Sequence, residues 1–275
     1  MAVFKNRRPR PKGMSINTMI PNILTMVAFS AGLTAVKFGL NGEWKSACVS
    51  IAVAAIFDTL DGRIARLLKG TSKFGAELDS LSDFVCFGVI PSMLLYMWTM
   101  QTAGGIGWVV VLLYSICCAL RLARFNTALE EENKPSWAFN FFTGVPAPAG
   151  AGLVLLPMVL SFIFDFAFLH HPVLVGINIV LVSFMLVSQV PTFSFKQFKV
   201  PHSYVLPTML GVGLFVALSV TQPWITLSVV LSAYLLSIPF AIRSYAKLKR
   251  KTAEIQGDVV NLDDAKTEGT NDSSQ

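Results

Sequence analysis

Apolar residues run along this chain in stretches of about 20, broken by short polar or proline- and glycine-marked segments. Windows of that length, which a helix needs to cross a hydrocarbon core of about 30 Å, pick out eight candidate spans near 20–40, 45–68, 76–100, 106–124, 144–166, 172–195, 203–221 and 223–243. The pattern predicts an all-α polytopic membrane protein, a helical bundle of about eight transmembrane helices; a six-helix core carrying two further helices would read the same way. A basic arm (1–13), a transmembrane domain (14–245) and a polar tail (246–275) follow from where the runs begin and end. From Thr252 to Gln275 the tail carries six acidic residues against Lys266 alone and ends in TNDSSQ, so it is expected to be disordered.

Composition supports this reading, since 53% of the 275 residues are hydrophobic and only 14% charged. The net charge of +6 does not point to nucleic acid, because the basic residues sit at the ends of apolar runs with little aromatic interleaving. They fit membrane orientation instead. With a cytoplasmic N-terminus, eight spans place every Lys and Arg except Lys37 and Lys45 on the cytoplasmic side, as positive-inside topology requires. The opening MAVFKNRRPRPKG is too basic and too poor in apolar residues for a signal peptide, so the first span is expected to stay as a helix, with basic residues available to anionic lipid heads. Cys48, Cys86, Cys117 and Cys118 fall inside apolar runs without CxxC spacing and read as small fillers. His170, His171 and His202 lie beside Pro172 and Pro201 and read as loop histidines.

Against this background the stretch FDTLDGRIARLLKGTSKFGAELDSLSDF (57–84) is anomalous, because it places Asp58, Asp61, Asp79 and Asp83 at apolar helix ends. A carboxylate at the centre of a spanning helix costs about 2.5–3.5 kcal/mol on insertion scales, and less towards the interface. Asp58 and Asp61 are at i, i+3 on the second span; Asp79 and Asp83 are at i, i+4 on the third. Each pair therefore shares a helix face. Four like charges brought together require a cation, and oxygen ligands without Cys or His select Mg²⁺, Mn²⁺ or Ca²⁺ rather than zinc. Four carboxylates suffice for two such ions. Gly62 and Ala65 continue the Asp58 stripe without side-chain bulk, Arg66 ends it with a cation for phosphate, and Gly75 opens a second gap. The alternative is a set of helix-end acids paired with Arg63, Arg66, Lys69 and Lys73.

Written out, the stretch is D-x2-D-G-x2-A-R-x8-G-x3-D-x3-D at Asp58, Asp61, Gly62, Ala65, Arg66, Gly75, Asp79 and Asp83. It resembles the full signature of the CDP-alcohol phosphotransferase family. That resemblance implies transfer of a substituted phosphoryl group from a CDP-linked lipid to an alcohol, with CMP leaving. It implies that Asp58, Asp61 and Asp79 hold Mg²⁺ or Mn²⁺, two divalent cations in all, and that Asp83 joins the metal site and acts as general base. Gly62 and Ala65 would leave room for the cytidine, Arg66 would assist in binding nucleotide or phosphate, and Gly75 would belong to the CDP-lipid site. A homodimer is implied too, and the small residues in SAGL and GVGL are compatible with close helix contact.

Four shorter patterns bear on the alcohol: PNILT (Pro21–Thr25), RLARFN (Arg121–Asn126), FFTGVPAPAG (Phe141–Gly150) and VPTFSFK (Val190–Lys196). Together they resemble the membrane-integral branch of that family which joins CDP-diacylglycerol to L-serine, giving phosphatidylserine and CMP. Serine is a zwitterion, so its carboxylate needs a cation and its ammonium needs acceptors. Arg121, Arg124 and Lys196 are the available cations, and Asn22, Thr25 and Asn126 the available polar groups. Arg121 sits deeper than an orientation anchor needs. Another acceptor (glycerol 3-phosphate, inositol phosphate or choline) and a divalent-cation transporter remain open as alternatives. An unprocessed basic start fits a bacterial inner membrane, with the site facing the cytoplasm.

Overall fold

The computed structural model describes residues 16–129, 141–188, 191–193 and 204–240. The arm, the tail, His202 and Lys196 lie outside the described residues. The chain divides into two compact units, 1–122 and 123–275.

In the first unit, α1 (Ile16–Leu40) packs along α2 (Trp44–Leu67) and also meets α3 (Lys73–Asp83) and α4 (Ile90–Trp98). Small residues allow the close approach: Ala28, Ala35, Ala47 and Ala54 are almost fully buried. α2 ends in a Schellman-type turn, in which the N–H of Gly70 donates to Ala65 O at 3.0 Å and that of Lys69 to Arg66 O at 3.3 Å. The turn puts Lys69 at φ 49°, a left-handed position that favours glycine. Lys69→Gly is accordingly expected to stabilise the protein by about 1 kcal/mol, read as a higher midpoint of thermal unfolding in detergent. Ser72 caps α3, its hydroxyl accepting from the Gly75 N–H at 3.0 Å.

α3 and α4 are joined by a π-helical turn, Phe84–Val89, so that Lys73–Trp98 forms one long apolar rod. Pro91 explains the widening. In α-helical register its ring would strike the carbonyl of Phe87, for which it also supplies no N–H. The hydroxyl of Tyr114, on α5 (Gly104–Leu129), donates to that carbonyl at 2.9 Å, and Ser115 Oγ donates to the next, Gly88 O, at 3.3 Å. A Cβ on Gly88 would lie 3.0 Å from Cys118 Sγ, so glycine is what lets α5 come this close.

In the second unit, α6 (Ala147–Ser161) packs on α7 (Pro172–Val187), followed by α8 (Val205–Thr221) and α9 (Pro223–Phe240). Pro146 caps α6 and Pro148 lies in its first turn, as helix-start prolines do. Pro157, inside α6, leaves the Leu153 carbonyl without its helical donor, and Asn178 Nδ2 of α7 supplies one at 3.2 Å, with Val154 O at 3.0 Å. His171 caps α7 through Nδ1, which accepts from the Val173 N–H at 3.4 Å. A short antiparallel ribbon, β1 (Phe141–Thr143) with β2 (Pro191–Phe193), pairs Phe142 with Thr192.

These elements follow the predicted spans, but two stop short: α6 ends at Ser161 rather than 166, and α7 ends at Val187 rather than 195, because Pro191 cannot continue a helix and Pro191–Phe193 pair as a strand instead. Among the described residues, four helices are long and apolar enough to cross a membrane: Thr18–Leu40, Lys73–Trp98, Met100–Thr127 and Pro223–Phe240. The apolar α6, α7 and α8 are shorter. The polar residues of α2 lower its hydropathy although its 24 residues extend about 36 Å. The protein is an all-α integral membrane protein, and the four cysteines are buried and unpaired as disulfides.

Candidate metal centre

The last turns of α2 and the whole of α3 carry the four aspartates. The packing of α1 against both helices encloses them on one side, leaving Asp61 only 3% exposed. One carboxylate oxygen from each of Asp58, Asp61 and Asp79 lies within 4.8 Å of the others. Oxygens around a single Mg²⁺ at about 2.1 Å stand up to about 4.2 Å apart, so small side-chain rotations close this trio on an ion. Asp83 is outside the trio but within hydrogen-bonding reach of Asp58. Its Oδ1 is buried with no hydrogen-bond partner among the described residues. Three converging carboxylates beside a fourth with an orphaned oxygen are a donor set that fits hard divalent cations.

The alternative of surface ion pairs does not describe this arrangement. Arg63, Arg66, Lys69 and Lys73 are exposed, whereas Asp61 is buried and takes its hydrogen bond from Thr25.

Thr25 was expected in an acceptor site, and the structure gives it a specific partner. Its hydroxyl donates to Asp61 Oδ2 at 2.6 Å, while the Pro21 carbonyl lies 3.1 Å away. A donor behind a ligating carboxylate fixes its orientation, and losing such a partner typically costs 10–100-fold in metal affinity. Thr25→Val is therefore expected to weaken binding of Mn²⁺ to the cluster by about 10–100-fold in an equilibrium titration, with Thr25→Ser near wild type. Unchanged Mn²⁺ binding in Thr25→Val would instead return Thr25 to the expected acceptor site.

The glycines differ from one another. A Cβ at Gly62 would meet nothing within 4 Å, whereas one at Gly75 would lie 2.7 Å from Asn22 Oδ1 and 3.1 Å from Ser72 Oγ. Asn22 thus occupies the gap that the sequence assigned to Gly75. Ala65 is half-buried on the Gly62 side of α2 and Arg66 is exposed at its end. Between α1 and α3 an apolar groove of about 510 Å³ is lined by Met19, Asn22, Ile23, Met26, Phe74 and Leu78.

Of the candidate cations, Arg121 is buried, at 9% exposed, and its charge acts on Asp83. It continues the stripe of Tyr114 and Cys118 on α5, at i+7 and i+3 from them. Arg124 lies in the second unit, where Nη1 donates to Val187 O at 2.6 Å and Nη2 to Ser188 O at 3.3 Å, tying down the end of α7. Gly144, at φ +80°, faces the same place, since a Cβ there would be 3.0 Å from Ser188 O and 3.4 Å from Arg124 Nη2. The RLARFN, FFTGVPAPAG and VPTFSFK patterns therefore meet partly around the ribbon, at Arg124, Gly144 and Pro191–Phe193. Asn126 is exposed.

The profile of the family described as CDP-alcohol phosphatidyltransferase matches residues 18–187, and that of CDP-alcohol phosphatidyltransferase 2 matches residues 203–239. The chain is 39% identical over 237 residues to the CDP-diacylglycerol--serine O-phosphatidyltransferase of Mycobacterium bovis, covering 86% of this chain and 82% of that one. It is 35% identical over 225 residues to the Helicobacter pylori protein of that name (81% and 91% covered), and 37% over 179 residues to the Bacillus subtilis one (65% and 92%). With the aspartate signature folded into one cluster and the match running from α1 to α7, this chain is a member of the CDP-alcohol phosphatidyltransferase family.

Proposed function

We propose that the protein transfers the phosphatidyl group of CDP-diacylglycerol to the hydroxyl of L-serine, giving phosphatidylserine and CMP. The observation that carries this reading is the cluster of Asp58, Asp61 and Asp79 with Asp83 alongside, in a chain similar over most of its length to relatives named for that reaction. Asp58, Asp61 and Asp79 would hold one or two Mg²⁺ or Mn²⁺ ions. Bound there, such ions neutralise the pyrophosphate and the leaving CMP.

The remaining work falls to the chain's own groups. Asp83 accepts the proton of the serine hydroxyl as its oxygen bonds to the phosphorus carrying diacylglycerol, and the bond from that phosphorus to CMP breaks. Its orphaned Oδ1 suits this role, because it has no internal donor to give up. Arg121, acting on Asp83, is the cation best placed to receive the serine carboxylate. Arg124 is engaged with the end of α7 and serves as a tie. The open surroundings of Gly62 admit the cytidine, with Ala65 and Arg66 further along the same helix. The groove between α1 and α3 is apolar and near Gly75, and suits an acyl chain of the lipid substrate.

In this reading the site faces the cytoplasm of a bacterial inner membrane, the orientation the distribution of Lys and Arg favours. It also works as a homodimer in this reading; Gly211 and Gly213 on α8 each have open space where a Cβ would stand, on different faces of the helix. Gly32 of SAGL is not available for this, since it packs against Cys86 of the same chain.

The deciding assay incubates purified protein in detergent with CDP-diacylglycerol, Mn²⁺ and labelled serine. Labelled lipid and CMP are expected in equal amounts. CMP release only with glycerol 3-phosphate, inositol phosphate or choline would refute the acceptor, and ion flux into sealed vesicles without CMP release would refute the transferase.

A further inference from the structure

We infer that Tyr114 is a positioning residue for the transfer, holding the π-helical turn that sets the aim of Asp83. The inference rests on the role proposed for Asp83 above.

Asp83 is the last residue before the turn, and the chain leaves it directly into Phe84–Val89. A π-helical turn has one more residue per hydrogen-bonded ring than an α-helix, so it rotates the preceding segment relative to the following one. Where the turn sits therefore decides which way the Asp83 carboxyl points relative to Asp58. Pro91 makes an α-helical alternative unfavourable, but the carbonyl it leaves behind, Phe87 O, is buried in an apolar bundle and needs a donor. Tyr114 provides it at 2.9 Å and is itself wholly buried, at 0% exposed. Such a hydroxyl deep in a membrane bundle is costly to bury without this use.

Two neighbours strengthen the clamp. Ser115 Oγ donates to Gly88 O at 3.3 Å and lies 2.9 Å from Ser92 Oγ, so the Phe87–Gly88 end of the turn and the helix just beyond it are held from α5. Two turns further along α5 from Tyr114, Arg121 acts on Asp83 itself. One helix thus both fixes the turn and supplies the charge beside the carboxyl that the turn aims. Asn178 fills a similar need behind Pro157, but the α6 segment it holds contains no aspartate, whereas the turn held by Tyr114 directly follows Asp83.

Tyr114→Phe keeps the ring and removes only the hydroxyl. In the full-length protein, competent sites are counted by equilibrium binding of CDP with Mn²⁺, and turnover is expressed per site. The kcat per site is expected to fall by about 10–100-fold, since small misplacements of a reacting group are that costly. KM for serine and for CDP-diacylglycerol should stay within about threefold. Ser115→Ala, removing the weaker contact, should lower kcat per site less, in the same direction. A Tyr114→Phe enzyme with unchanged kcat per site overturns the inference, as does a loss confined to the number of sites, which support of the fold alone would give. If Tyr114→Phe forms no CDP-binding sites, Ser115→Ala decides: a lower kcat per site upholds the inference and an unchanged one overturns it. Wild-type turnover is the reference, so its absence refutes the transferase reading and this inference with it, whereas normal wild-type turnover with unaffected variants refutes this inference alone.

Discussion

Asp83→Asn is expected to lower phosphatidyl transfer by about 10²–10⁴-fold, the range that loss of a positioned general base produces. The asparagine has nearly the same shape and keeps a hydrogen-bonding oxygen, but it cannot accept the proton of the incoming hydroxyl. Nucleotide binding should survive, because the trio of Asp58, Asp61 and Asp79 that would hold the cation does not include Asp83. The measurement is a pair: CMP release with serine, and equilibrium binding of CDP in the presence of Mn²⁺. Turnover close to wild type would remove Asp83 from the base role. Loss of both turnover and binding would make it a metal ligand first, with the proton going elsewhere.

The contrast with Thr25 shows why these two residues need different readouts. Thr25 reaches the reaction only through Asp61, so its replacement should be overcome by raising the cation concentration. No concentration of cation should rescue Asp83→Asn.

Much of this arrangement was legible in the order of residues. Apolar runs of about 20 residues located each helix and most of the ends, because hydrocarbon thickness leaves little choice of length, but the run that ends α7 carried on through Pro191–Phe193, which pair as a strand. The spacings i, i+3 and i, i+4 placed each aspartate pair on one face, because helical geometry allows nothing else. What the spacing could not state is which side chains from other helices would complete the cluster. Thr25 finds Asp61 across 36 positions, a contact that depends on how α1 lies along α2. Asn22 fills the space behind Gly75 for the same reason. Arg124 reads in one dimension like Arg121, yet its guanidinium goes to Val187 O and Ser188 O while Arg121 is buried, with its charge felt at Asp83. The ribbon that brings Phe141–Thr143 to Pro191–Phe193 is three residues long on each side, too short for alternation to announce it. The buried Tyr114 and the half-buried Asn178 carried a signal that was missed: each is a polar side chain in an apolar helix, and each answers a proline elsewhere, Pro91 or Pro157. Intramembrane prolines create carbonyls in need of donors, so polar residues on other spans are where to look for the partner.

Gly62→Leu is expected to weaken binding of CDP-diacylglycerol by about 100-fold or more, equivalent to about 2.7 kcal/mol. The expectation comes from a difference between two glycines in one signature. Gly75 is surrounded, so a side chain there would collide with Asn22 and Ser72 and the protein itself would have to move. A Cβ at Gly62 would meet empty space, and its helix position next to Asp61 sets that space at the edge of the aspartate cluster. A leucine at Gly62 therefore costs the folded protein little, and on helix propensity alone it should gain up to about 1 kcal/mol. Its side chain would instead occupy volume that the proposed nucleotide needs. The prediction thus pairs a sharp loss of CDP affinity with unchanged or slightly raised thermal stability, while Gly75→Leu should lower stability as well. Gly62→Ala, adding one methyl group, should fall between wild type and leucine. Unchanged CDP affinity in Gly62→Leu would place the cytidine away from α2, and the open strip beside Asp61 would then need another occupant.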